Sequence, residues 1–306
     1  MLRLYTHPAC LQHDPGPGHV ERPARLQAIL RALDHDRFAA LDRLEAPPVT
    51  REQLLRVHGA AHLSEVLLGA PAGEMLALDQ DTVMGPGSTE AALRAAGAVV
   101  AAVDAVLGGA ALRAFCAVRP PGHHATRERA MGFCLFNNVA VGAAHALAAH
   151  GLKRVAIADF DVHHGNGTQD IFEREPRVLF ASSHQWPLYP DSGREDERGV
   201  GNIVNGTLSP GAGSHEFREL WDGVLLPRLH AFKPQLVLVS AGFDAHCNDP
   251  LADIRLGNED YAWITERLAA LADAHAGGRL VSTLEGGYDL AALATSVSAH
   301  VGALVE

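Results

Sequence analysis

The chain has 306 residues, 47% of them hydrophobic, and 25 basic against 36 acidic side chains give a formal charge of −11. That length and apolar content suffice for one large core, and the acidic balance leaves no footprint for a phosphate backbone, so direct nucleic-acid binding is not expected. The four cysteines, Cys10, Cys116, Cys134 and Cys247, form no C-x-x-C pair, and no secretory leader opens the chain; both features predict reduced thiols and a cytoplasmic location.

In chain order, residues 91–111 form the longest apolar stretch, rich in alanine and interrupted by Arg94 and Asp104, which predicts a buried helix rather than a membrane span. Short apolar runs at 115–118, 155–158, 178–181, 236–240 and 280–284 then alternate with helical patterns. Near-continuous apolar strands separated by helices predict βαβ units and a parallel sheet covered on both faces. Asn137 or Asn138 is suited to cap a helix stopping at Gly151, Ser214 one ending before Pro234, and Asn258 one ending near Gly277. The stretches 71–87 and 185–210, rich in Pro, Gly and Asp, are expected as surface loops near a site.

Polar clusters follow four of the five runs: Arg-Pro-Pro-Gly-His-His at 119–124, Asp-Phe-Asp-Val-His-His-Gly-Asn-Gly at 159–167, Ala-Gly-Phe-Asp at 241–244 and Glu-Gly-Gly-Tyr at 285–288. Parallel sheets bind ligands beyond the carboxyl ends of their strands, so the four belong in one pocket. On an extended chain Asp159, Asp161 and His163 share a face. Asp161, His163 and Asp244 would give a divalent ion two oxygens and a nitrogen with a position open for water, the pattern of a catalytic site. Zn²⁺ suits the set and Fe²⁺ or Co²⁺ could occupy it; a buried hydrogen-bond network without metal is the rival reading. Beside such an ion the His123–His124 pair can move a proton, Asp159 can orient one ring, and Tyr288, after two glycines, can stabilise an oxyanion.

These motifs, with Met-Gly-Phe-Cys-Leu-Phe-Asn-Asn at 131–138, closely resemble the histone deacetylase superfamily, which includes acetylpolyamine amidohydrolases and acetoin-utilisation proteins. The resemblance runs from His19 nearly to the C-terminus and is strongest to the class II, bacterial amidohydrolase branch. It implies an α/β, arginase/deacetylase-like fold with a mostly parallel eight-stranded central sheet flanked by helices, as one catalytic domain over residues 1–306. It implies Asp161, His163 and Asp244 as zinc ligands, His124 as general base and acid, and His123 paired to Asp159 and acting through charge. Asn166 stands behind His124 where other branches carry Asp. Gly132, Phe133 and Tyr189 would wall a narrow tunnel, Arg25 would line a product-exit cavity, and a structural K⁺ would be held by Asp159, Asp161, His163, Ser182 and Ser183.

The implied reaction is hydrolysis of an acetyl or other short acyl group from the Nε of lysine, in a peptide or protein, or from a small acylated amine, releasing acetate. A binuclear arginase-type site is disfavoured because Gly165 stands where a bridging carboxylate would be needed. Leu251, where polyamine-selective relatives carry an acidic gatekeeper, favours a peptide lysine over acetylpolyamine. A non-catalytic acyl-lysine-binding protein is the alternative from another class. No membrane partner is expected, and the oligomeric state, a homo-oligomer included, stays open.

Overall fold

A computed structural model describes residues 2–71 and 73–305. Among the described residues ten strands are present: β1 (Leu2–Thr6), β2 (Asp42–Glu45), β3 (Leu76–Ala77), β4 (Val83–Met84), β5 (Arg113–Cys116), β6 (Val155–Asp159), β7 (Val178–Gln185), β8 (Ile203–Leu208), β9 (Leu236–Ala241) and β10 (Leu280–Leu284). Eight form one parallel sheet in the order β2-β1-β5-β10-β9-β6-β7-β8, while β3 and β4 make a small antiparallel hairpin. This is the α/β architecture expected from the motifs. Strands β6, β9 and β10 are buried at every residue, as β-branched and apolar runs covered on both faces must be. On one side the helix Ser88–Leu107 packs against Asn138–Ala149, and on the other Asn258–His275 and Pro23–Leu33 pack against Leu290–Val305.

Five of the eight sheet strands were legible as apolar runs. The first of them lies two residues earlier than the run, at β5, which ends at Cys116 although the Ala117 N–H still bonds to the Tyr5 carbonyl at 2.9 Å. Strands β1, β2 and β8 were not read. β2, Asp-Arg-Leu-Glu, is a half-exposed edge, and β8 contains Asn205 and Gly206 in the stretch 185–210 expected to be surface loop, although five of its six residues are buried. Asn137 does cap its helix, its side chain accepting from the Ala140 N–H at 3.1 Å. Ser214 and Asn258 do not cap. Gly213 and Gly257 hold those positions, Glu216 and Asp260 reach back to their N–H groups at 2.9 and 3.0 Å, and the Ser214 hydroxyl donates to Asp260 instead. Among the described residues no helix is long and apolar enough to cross a membrane.

The strands that carry the four polar clusters, β5, β10, β9 and β6, are consecutive neighbours at the centre of the sheet. The chain leaves β5 for β6 and only later returns to insert β9 and β10 between them, so the clusters meet where the strand order reverses, the usual ligand site of such sheets.

Candidate active site

Strand β6 ends at Asp159, so Asp161 and His163 lie in the bend beyond it and their convergence owes less to strand alternation than the sequence suggested. Asp161 is held by two backbone donors, its Oδ1 accepting from the His163 N–H at 2.9 Å and its Oδ2 from the Gly286 N–H at 2.8 Å, and Oδ1 also lies 3.1 Å from His163 Nδ1. Asp244 Oδ1 accepts from the Val162 N–H at 2.9 Å, leaving Oδ2 3.1 Å from the same His163 nitrogen. One imidazole nitrogen and two carboxylate oxygens thus point at a common place, all within 4.8 Å of one another. Gly242 and Gly286 make the room, since a Cβ on either would collide with Asp161 or Asp244. Burial opposes the Asp161 charge, but His123 and His163 hold its pKa below the carboxylate range; burial and Asp161 push Asp244 up, and the two aspartates raise His163 to about 10 against its burial. Two carboxylates forced together in a buried cradle need a cation, so these residues fit a small divalent ion.

His123 and His124 stand beside this cradle with ring centroids 4.1 Å apart, yet they are in opposite states. Burial disfavours charge on His123, but Asp159, whose Oδ2 lies 3.0 Å from Nδ1, and Asp161 outweigh it and raise the pKa to about 10. Burial, then repulsion from His123 and His163, lowers His124 well below its ordinary value. Its Nδ1 lies 2.8 Å from Asn166 Oδ1, an acceptor, so the neutral ring carries its proton there and leaves the Nε2 lone pair free.

A cavity of about 250 Å³ opens over the cradle. His124, His163 and Tyr288 line its floor, and Gly132, Phe133, Tyr189 and Leu251 line its walls. A Cβ at Gly132 would collide with the His124 ring, and Phe133 sits at φ 68°, a costly conformation for a non-glycine residue, with its N–H held by Thr82 Oγ1 at 3.0 Å. Asp81 and Leu188, which the sequence reading missed, also line it. Both come from stretches recognised only as loops near a site.

The remaining expected residues lie close by but in other settings. Arg25 is fully buried behind Tyr288, its guanidinium 4.8 Å from the ring centroid, and its nitrogens are taken up by the carbonyls of Gly287 and Glu285, each at 2.6 Å, and by Glu21 at 2.9 Å. Ser182 pairs in register with Asp159 across β6 and β7, while the Ser183 hydroxyl accepts from Trp221 Nε1 at 3.0 Å. Glu285, quoted in a motif but given no role, accepts from the N–H groups of Gly122 and His123 at 2.6 and 3.2 Å and so fixes the histidine turn to β10. A second His–Asp triad, Asp104, His145 and His150, lies between two helices; there Arg56 donates to His145 Nδ1 at 3.0 Å, which commits the Nε2 proton to Asp104 and leaves no lone pair for a metal.

The histone deacetylase domain model matches residues 19–304. A histone deacetylase-like amidohydrolase of Pseudomonas aeruginosa is 42% identical over 302 residues, covering 91% of this chain and 79% of the relative. The polyamine deacetylase HDAC10 of Homo sapiens is 40% identical over 321 residues, covering 99% of this chain but 46% of that longer protein. Among solved structures, the HDA15 HD domain superposes with a TM-score of 0.94 at 36% identity, over 99% of this chain and 88% of that one. Agreement in sequence, in fold and in nearly full coverage places the chain in the histone deacetylase family, as a hydrolase of the deacetylase kind.

Proposed function

We propose that this deacetylase is a zinc-dependent amidohydrolase that removes acetyl or another short acyl group from the Nε of lysine or a lysine-like amine, with the sheet and its helices acting as one catalytic domain. The observation that carries the reading is the convergence of Asp161, His163 and Asp244 on one buried point at the foot of a narrow cavity. A divalent ion held there would supply Lewis acidity toward the acyl oxygen and acidify a water molecule.

The chain's own residues supply the rest. His124, kept neutral with its Nε2 lone pair exposed, takes the proton from water and returns it to the leaving amine. His123, held cationic by Asp159, acts through its charge. Tyr288, its phenol kept protonated by burial, donates to the oxyanion that develops at the acyl oxygen. Phe133 and Tyr189 sheathe the substrate's aliphatic stem and exclude water. A structural K⁺ beside Asp159, the backbone oxygens of Asp161 and His163, Ser182 and Ser183 belongs to the same reading, supported by the register pairing of Asp159 with Ser182.

Leu251 on the cavity wall favours a peptide lysine, whereas the Asp81 carboxylate at the same cavity and the human polyamine deacetylase among the relatives favour acetylpolyamine as the second reading. Relative kcat/KM on an acetyl-lysine peptide and acetylputrescine, with a chelator control, decides between them. Turnover that survives complete metal removal sinks the proposal.

A further inference from the structure

Tyr288 follows Gly286 and Gly287, which carry no side chain to brace it; its ring meets Arg25 and Phe133, and its backbone is fixed by hydrogen bonds. Arg25 holds the carbonyls of Glu285 and Gly287 from one direction. From the other, Asp249 Oδ2 accepts from the N–H groups of Tyr288 at 2.7 Å and Asp289 at 3.4 Å, while Oδ1 accepts from the Leu251 N–H at 3.1 Å. Asp249 is 8% exposed, and its own loop is anchored: its N–H donates to the His246 carbonyl at 2.8 Å, and the Cys247 N–H donates to the Leu256 carbonyl at 3.0 Å. One buried carboxylate therefore links the segment bearing Tyr288 to the segment bearing Leu251, both of which line the same cavity.

We propose that Asp249 is a positioning residue that holds Tyr288 and Leu251 as one rigid unit, so that the fit of a substrate stem against Leu251 and the aim of the Tyr288 hydroxyl are set together. This rests on the role given to Tyr288 in the deacetylase reading. Both Asp249 oxygens accept N–H groups, so the acceptor-only carboxylate suits the place; an asparagine, with one oxygen, must surrender either the Tyr288 or the Leu251 tie.

The test is a double-mutant cycle on the metal-loaded chain with an acetyl-lysine peptide. Asp249→Asn should lower kcat by about 10- to 100-fold, as a small misplacement of a reacting group does, with metal content unchanged. In a Tyr288→Phe background the same substitution should cost less than about twofold, because the hydroxyl it aims is already gone. Asp249→Glu, which keeps both acceptors one methylene further out, carries the same comparison if Asp249→Asn fails to fold. Losses that multiply in the double variant, or a kcat for Asp249→Asn within about twofold of wild type, overturn the inference. A wild-type chain that turns over no acetylated amine when loaded with metal overturns the deacetylase reading itself, and this one with it.

Discussion

His123 and His124 differ by one position in the chain and by their partners in space: a carboxylate for one, a carboxamide for the other. That division, and the phenol of Tyr288 opposite, set what single substitutions should do. Tyr288→Phe should lower kcat by about 10²–10³-fold, the usual cost of one oxyanion donor, while elemental analysis finds the same metal content; loss of the ion in that variant would count against the role of the hydroxyl. Asp244→Ala removes one of the paired carboxylates, so bound zinc should fall from one ion per chain toward none and activity should vanish with it. Dialysis against a chelator should abolish wild-type turnover and added Zn²⁺ should restore it. Asp161, His163, Asp244, the histidine pair and Tyr288 were legible in the sequence because each follows an apolar run, whereas Phe133, Tyr189 and Arg25 came only with the family resemblance. Asp81, Asp249 and Glu285 were not assigned, since a carboxylate in a loop shows its partner only once the chain is folded.

Single elements show where local rules give way to packing. Gly97 lies inside the alanine-rich helix Ser88–Leu107, where glycine ordinarily costs about 1 kcal/mol relative to alanine. Here a Cβ would collide with the Pro47 carbonyl and crowd the Val49 amide at 2.7 Å, so Gly97→Ala should destabilise the protein by about 1–3 kcal/mol in urea unfolding. Gly223, on the exposed face of the helical turn Trp221–Leu225 with nothing within 4 Å of its Cβ position, should show the opposite sign, with alanine gaining up to about 1 kcal/mol. Asn137 caps the helix Asn138–Ala149 and also donates to the Ala125 carbonyl at 3.1 Å and Thr168 Oγ1 at 3.2 Å, which tie that helix to the segment after His124. Its replacement by alanine should therefore cost roughly 2–3 kcal/mol rather than the ~1 kcal/mol of a cap alone.

Across the whole molecule, several histidines far from the cradle are buried as neutral rings. His300, between Thr265 and Ser282 at 2.6 and 2.8 Å, is lowered by burial from an ordinary 6.5 to about 3, and burial, with His62, lowers His58 to about 3 as well. The unfolded chain binds protons at these sites between those values and the folded chain does not. Stability is therefore full above about pH 6.5 and is lost as pH falls toward 3, by about 1.4 kcal/mol per pH unit for each ring. Melting temperatures from pH 7 to 4.5 should fall with a slope that is shallower in His300→Gln; an unchanged slope would refute the assignment. The sequence alone determined the fold class and five central strands, narrowed one helix cap to Asn137 or Asn138, and marked Asp161, His163 and Asp244 as candidate metal ligands, because apolar runs, turn residues and short polar motifs are properties of consecutive residues. Only the tertiary structure decided that β5, β10, β9 and β6 lie side by side, that 203–208 is an edge strand, that Gly213 and Gly257 rather than Ser214 and Asn258 cap their helices, and that Asp249 joins two segments lining the cavity. The strand order and the Asp249 link depend on partners tens to hundreds of residues away, which no local pattern encodes, while the two helix starts turn on Glu216 and Asp260 three residues on, where Ser214 and Asn258 offered equally good caps.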